Sequence, residues 1–249
     1  YHKLMKLNLL VLKNGYKKMK IPHTGLEGNV SDHKFRSGYV QWLLHQEGYR
    51  NNKKIKIPRV IIQFWDKLEE LPEDVEKCLN SWHILKEFGF RVILFSDKSA
   101  IKFIQKEYPN EYVIAYDKCE HPAMKSDYFR LCYIYKCGGA YVDADEILID
   151  MKFIEYFNNN NLKIQPLCFD LAKNEMVNFY DYIEDKSYPN KKIFYVNNNP
   201  IICPSKHMLI KLALEDATNN LINHKLSSTF DIQSTTGPGN LTANLVSYS

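Results

Sequence analysis

No stretch of this sequence approaches the roughly 18 consecutive apolar residues that a membrane-spanning helix needs. Nor does any stretch have the basic, apolar, small-residue order of a signal peptide. The six cysteines, Cys78, Cys119, Cys132, Cys137, Cys168 and Cys203, include no C-x-x-C pair. That argues against a structural zinc site. Several lie inside apolar runs, the pattern of buried thiols in a reducing compartment. No nucleic-acid reader motif and no basic-aromatic sheet pattern occurs, so no nucleic-acid partner is expected. There is no internal repeat.

What is present suits a soluble globular protein: 249 residues, 45% hydrophobic and 25% charged. With 17 Tyr, 13 Phe and 3 Trp the chain is aromatic-rich, which serves a packed core equally well as a cleft for sugars or nucleobases. The net charge of +4 is uneven. Residues 1–58 carry twelve Lys/Arg against three Asp/Glu, and the remainder twenty-one against twenty-six. A basic arm on a mildly acidic body is either a solvated lysine-rich helix or a contact for an anionic membrane surface. The expected location is the cytoplasm, with the arm at the inner face of the membrane.

The spacing of Leu4, Leu7, Leu10 and Val11 predicts a basic helix over 2–19. A second helix is expected from Ser31 or Asp32 to Gln46. Asn51–Lys56 reads as a linker, so residues 1–56 form a helical N-terminal extension and 57–249 the main domain. Val60 to Trp65 is a nearly continuous apolar run, as in a strand buried on both faces. Pro72 opens a helix with the apolar stripe Val75, Cys78, Leu79, Trp82 and Leu85. Phe90–Phe95 is a strand, Ser96 or Asp97 caps the next helix, and Tyr112–Tyr116 reads as a short strand. A long helix over His121–Cys137 stops at Gly138-Gly139, and a strand over Ala140–Asp143 follows. That alternation predicts an α/β domain with a largely parallel sheet. Further strands are expected within Pro166–Leu171 and Ile193–Cys203, a helix over Lys206–Ile222, and a Thr235–Gly239 loop before a last helix.

The sharpest chemical signal is Asp143-Ala144-Asp145. Alternate residues of an extended segment share a face, so both carboxylates could meet one hard cation. Mg²⁺ or Mn²⁺ with few protein ligands completes its shell with phosphate oxygens and water. Strand ends are also where open α/β sheets bind ligands. A lone D-x-D is nevertheless a common surface turn. Asp127 and Arg130 are i,i+3 neighbours on the preceding helix, either an ordinary ion pair or a sugar-and-diphosphate clamp. Trp65 ends the first strand at the same sheet edge, where it could stack on a base or simply pack.

Together these pieces resemble the family-32 glycosyltransferases, which include yeast outer-chain mannosyltransferases and bacterial capsule or lipopolysaccharide enzymes. The core of the clostridial glucosylating toxins is related. The central motif, Ser-Asp-x-x-Arg followed by Gly-Gly-x-Tyr-x-Asp-x-Asp, is met by Ser126, Asp127, Arg130, Gly138, Gly139, Tyr141, Asp143 and Asp145. Ile57–Trp65 resembles the family's opening strand, Asn198–Ile202 its later Asn-containing strand, and Thr236-Gly237-Pro238 its late loop. The resemblance spans about residues 57–245.

It implies a GT-A fold, with a Rossmann-like, mostly parallel sheet flanked by helices. It also implies a UDP- or GDP-sugar donor, a Mn²⁺ or Mg²⁺ ion and a saccharide or lipid-linked acceptor. Transfer would retain configuration, in capsule, lipopolysaccharide or other polysaccharide biosynthesis. Asp143 would contact the ribose and the metal shell, and Asp145 the metal. Asp127 would hold sugar hydroxyls and Arg130 sugar or diphosphate. Ser126, Tyr141 and Asn199, or Asn198 one register away, would line the donor site, with Trp65 near the base. Three departures stand out. Ile62 replaces a frequent His, Glu146 replaces an apolar residue, and the chain stops soon after the Thr-Gly-Pro loop.

Two other readings compete. Haloacid-dehalogenase phosphohydrolases also place D-x-D at a strand end. Their motif, however, ends the first core strand, with Thr or Val where Glu146 stands. A non-catalytic nucleotide-sugar-binding module would not need Asp127, Arg130, Asp143 and Asp145 all intact.

Overall fold

Val60-Ile61-Ile62-Gln63-Phe64 lacks polar alternation, and in the computed structural model it forms strand β1 (Val60–Phe64), buried at every residue. The structure describes residues 36–40, 56–182, 192–223 and 231–248. The other strands are β2 (Arg91–Phe95), β3 (Gly139–Tyr141), β4 (Lys163–Asp170), β5 (Glu175–Val177) and β6 (Lys192–Cys203). They form one six-stranded sheet in the order β2-β1-β3-β6-β4-β5. β1 pairs parallel with β2 and β3. β6 runs antiparallel to β3 and β4, and β4 antiparallel to β5.

The α/β class is therefore as expected, and the parallel sheet occupies one half of it. The other half is antiparallel, which corrects the expectation of a mostly parallel sheet. Helical crossovers link β1, β2 and β3, which keeps their direction. Between β3 and β4 the chain makes only a 3-10 turn, Met151–Phe157, and the strands that follow reverse.

The helices are α1 (Glu73–Ser81), α2 (Asp97–Glu107), α3 (Asn110–Asp117), α4 (Pro122–Cys137), α5 (Met208–Asn223), α6 (Ile232–Thr235) and α7 (Pro238–Tyr248). Ser96 and Ser99 cap α2 reciprocally, each side chain bonding the other's backbone N–H. Tyr112–Tyr116 is helical in α3 rather than a strand. Its β-favouring residues are overruled by packing: Ala115 and Tyr116 are buried, and the Tyr116 hydroxyl donates to Asp97 Oδ1 at 2.7 Å.

The passage from α4 into β3 depends on glycine. Gly138 has φ 71° and Gly139 φ 108°. A Cβ on Gly138 would lie 2.6 Å from the Ser205 nitrogen, and one on Gly139 2.7 Å from the Val60 carbonyl oxygen. Only a residue without Cβ lets the chain turn this close to β1.

β1 sends Ile62 and Phe64 into the larger core beneath α4, with Phe129, Tyr141, Ile201 and Leu214. Ile61 faces the opposite side, with Trp82, Leu85, Phe90, Val142 and Phe153. Each such side chain contributes about 1.5–3 kcal/mol by burial. Of the N-terminal extension, the expected basic helix over 2–19 and the linker residues 51–55 lie outside the described residues. Residues 36–40 are helical. Val40 belongs to the larger core, and Ser37 Oγ accepts the Phe194 N–H at 2.7 Å, so this piece is packed on β6.

Candidate active site

β1 and β3 end at the same edge, and the Val142 N–H still bonds the Ile62 carbonyl at 3.0 Å. The pairing of β1 with β3 stops at Ile62–Tyr141, while β1 continues its ladder with β2, where the Trp65 N–H bonds the Phe95 carbonyl at 2.9 Å. The chain therefore folds back. The Glu146 N–H bonds the Asp143 carbonyl at 3.2 Å, closing the turn Asp143–Glu146. This corrects the expectation of a strand running through Asp143. The two carboxylates are placed by a turn rather than by strand alternation. Asp143 is half-buried, and Asp145 stands exposed at the turn.

Arg130 is the hub. Its guanidinium is buried, lies over the Tyr141 ring at 4.1 Å and is within 3.0 Å of carboxylate oxygens of both Asp127 and Asp143. Nη2 also donates to Ser126 Oγ at 3.0 Å and the Tyr141 hydroxyl at 3.3 Å; Nη1 donates to the Asn198 carbonyl at 2.9 Å. The Tyr141 hydroxyl donates to Asp143 Oδ1 at 3.1 Å. With its one proton so used, it accepts from Ser126 at 2.5 Å. Burial alone would lower the basicity of Arg130, but Asp143, Tyr141 and Asp127 outweigh it and hold the guanidinium charged. Burial, ahead of the Asp143 charge, pushes the Tyr141 phenol up.

Asp127 faces the interior. Its Oδ1 accepts from Asn198 Nδ2 at 2.8 Å, and its Oδ2 from the Thr236 hydroxyl at 3.5 Å. Burial raises its carboxyl value, against the opposing pull of Arg130 and the Asn198 bond. Gly237 leaves room beside it: a Cβ there would come within 3.3 Å of Asp127 Oδ2. The Thr-Gly-Pro loop thus reaches the motif helix across 109 residues of sequence.

Both asparagines contribute, in different ways. Asn198 holds Asp127 and Arg130. Asn199 Oδ1 accepts the Asp143 N–H at 3.0 Å, and its Nδ2 donates to Glu146 Oε1 at 3.4 Å. Ser126, Asp127, Arg130, Tyr141, Asp143 and Asn199 therefore form one connected network. Trp65 joins by packing, half-buried with Val75, Leu79 and Ala144, the middle residue of the motif. Asp145 makes no hydrogen bond or ion pair among the described residues. Ile62, the frequent His of the family pattern, points into the core. Two participants were not expected. Gln63 Nε2 donates to the Asp143 carbonyl at 3.4 Å, and Trp82 Nε1 to the Glu146 carbonyl at 2.7 Å. Gln63 is the one polar residue of β1, a signal visible in sequence; Trp82 is hidden within an apolar stripe.

Asp143, Asp145 and the Asn199-held Glu146 supply only oxygen donors. Among the described residues no group of three or more His, Cys, Asp and Glu side chains is arranged to hold a metal. Such a set does not fit a closed protein cage. It fits Mg²⁺ or Mn²⁺ that takes most of its shell from phosphate and water. Charge points the same way: Asp127 and Asp143 flank Arg130, and Asp145 and Glu146 follow on the turn, so a diphosphate would enter beside these carboxylates more readily with a cation. A cavity of about 480 Å³ opens at the carboxyl ends of β1 and β2 and the start of α4, where Lys125 precedes Ser126 of the network. Asp66, Ser96, Asp97, Pro122 and Lys125 are among its lining residues, whereas Asp143 and Asp145 are not.

Residues 72–166 match the family model described as the glycosyltransferase sugar-binding region containing the DXD motif. That stretch includes Trp82, Asp127, Arg130, Asp143 and Asp145, and it bears out the resemblance read from the sequence. Inositol phosphoceramide mannosyltransferase 3 of Schizosaccharomyces pombe is 32% identical over 95 residues, 38% of this chain and 26% of that protein. Mannosyl phosphorylinositol ceramide synthase SUR1 of Saccharomyces cerevisiae is 30% identical over 94 residues, 36% and 23% of the two chains. The matched stretch spans about a quarter of each of these curated relatives. Among solved structures, PaToxG glycosyltransferase is similar with a TM-score of 0.48 and 15% identity, over 85% of this chain and 74% of that one.

Proposed function

We propose that this chain is a metal-dependent glycosyltransferase of GT-A type, moving a hexose from a nucleotide-sugar donor to a hydroxyl with retention of configuration. The observation that carries this is Arg130, buried and held charged between Asp127 and Asp143, with Asp145 free at the adjacent turn. A UDP- or GDP-sugar is read as lying with its diphosphate by Arg130 and the motif carboxylates. Its sugar hydroxyls would meet Asp127, and its nucleoside would point toward Trp65 and the cavity at the carboxyl ends of β1 and β2.

Asp143 and Asp145 would hold the Mn²⁺ or Mg²⁺, which supplies positive charge to the departing diphosphate. Arg130, fixed before the reaction, adds to that stabilisation without reorganising. Asp127, neutral or charged, accepts or donates hydrogen bonds to the sugar from a dry wall. Two relatives are named for mannosyl transfer to inositol phosphoceramide. A lipid-linked acceptor is accordingly favoured over a capsule saccharide. The basic N-terminal arm, at the cytoplasmic face of an anionic membrane, belongs to the same reading. A phosphohydrolase is disfavoured, since the motif turn follows β3, not the first strand of the sheet.

The test is release of nucleoside diphosphate from UDP- and GDP-hexoses with and without Mn²⁺. Asp145→Ala, at an exposed position, should leave stability within about 0.5 kcal/mol of wild type. It should lower metal-dependent turnover by about 100-fold or more. Wild-type turnover by this variant would sink the assignment.

A further inference from the structure

The stretch that leaves the metal motif is gripped by the end of α1. Ser81 Oγ accepts the Leu148 N–H at 2.9 Å while donating to the Cys78 carbonyl at 2.6 Å. The next residue, Trp82, donates its indole N–H to the Glu146 carbonyl at 2.7 Å, across 64 residues of sequence. Trp82 is 2% exposed, and its ring meets Phe153 edge-on at 5.0 Å. Packing accounts for the burial of the ring. It does not require that the indole N–H end on the carbonyl next to Asp145. The turn carrying Asp143 and Asp145 is thus held at its first carbonyl by Gln63 and at its last by Trp82, from two separate elements.

We propose that Trp82 is a positioning residue, which fixes the Asp143–Glu146 turn and so sets the affinity of Asp145 for its cation. This rests on the metal-dependent reading above. Removing such an outer partner typically weakens metal binding about 10–100-fold.

The probe is Mn²⁺ alone, and Mn²⁺ with UDP or GDP, with free Mn²⁺ followed by electron paramagnetic resonance. Trp82→Phe keeps an aromatic ring against Phe153 and removes the donor; it should bind Mn²⁺ about 10-fold more weakly or worse. Benzothienylalanine at position 82 keeps the bicyclic shape without the N–H, and should behave alike if the Phe variant does not fold. Leu85→Ala, in the same core cluster, should lose at least as much thermal stability yet bind Mn²⁺ as wild type does. Unchanged Mn²⁺ affinity in the donor-less variants, or an equal loss in Leu85→Ala, would overturn the proposal for Trp82 while leaving the metal reading intact. No Mn²⁺ binding by wild type under any of these conditions would overturn both.

Discussion

Two of the buried cations meet opposite treatment in this fold. Arg130 is surrounded by acceptors and stays charged. Lys163 is also buried, but among the described residues its Nζ bonds only the carbonyls of Asn159 and Asn161, at 3.1 and 2.9 Å. Burial lowers its ammonium value from 10.5 to about 8. The native state therefore favours the neutral amine, while the unfolded chain keeps its proton up to about 10.5. Between those limits the unfolded state binds more protons, so the Lys163 contribution to stability rises with pH through that window and is least favourable below it. Lys163→Met should consequently be more stable than wild type at pH 7 by about 1 kcal/mol. The difference should shrink as pH rises from about 8 to 10.5. Urea unfolding of both proteins at pH 7 and pH 10 measures this; a pH-independent difference would contradict it.

At the scale of elements, the α4–β3 junction is the most constrained. Gly139→Ala would place a methyl 2.7 Å from the Val60 carbonyl, at a φ of 108°. Backbone, not a pliable side chain, is in the way, so β3 must shift from β1 and carry the motif turn with it. The expected loss is about 2 kcal/mol or more, seen as a lower urea midpoint with an unchanged slope. A wild-type midpoint would show that the junction relaxes freely. Much of this element was legible in the sequence: the paired glycines, the helix before them and the short strand after. Its end was not. Reading Ala140–Asp143 as one strand assumes that a neighbour continues the ladder, and that the β1–β3 pairing stops at Ile62–Tyr141 is a tertiary fact. The antiparallel half of the sheet was missed for a related reason. β4 and β6 have recognisable strand composition, but direction depends on how the chain returns, not on composition. Asp127, Arg130, Tyr141 and Asp143 could be grouped because they lie within 17 residues; Gln63 and Trp82 could not, since their bonds span 80 and 64 residues.

For the whole molecule the site lies on a seam. Trp65 and Asp143 ride on the parallel half of the sheet, and Asn198 and Asn199 on β6, the first antiparallel strand. The Thr236 loop closes over Asp127 from beyond both. A donor that spans metal, diphosphate and sugar would touch every one of these parts, which come together only in the native fold. It therefore stabilises the folded state by mass action: about 2.7 kcal/mol at a hundredfold excess over its Kd. For a domain of this size each kcal/mol raises Tm by about 2–4 °C. The accepted UDP- or GDP-sugar with Mn²⁺ should thus raise Tm by about 5–10 °C. The shift should collapse when the metal is chelated, because the carboxylates then face the diphosphate with only Arg130 between them. Asp143→Asn should lose most of the shift even with Mn²⁺ present. Scanning fluorimetry across a panel of donors reads all three conditions, and it identifies the nucleotide by which base gives the largest rise. A donor-induced shift of equal size in chelator and in Mn²⁺ would place the diphosphate away from Asp143 and Asp145, and would leave the carboxylates of the turn without the role assigned to them.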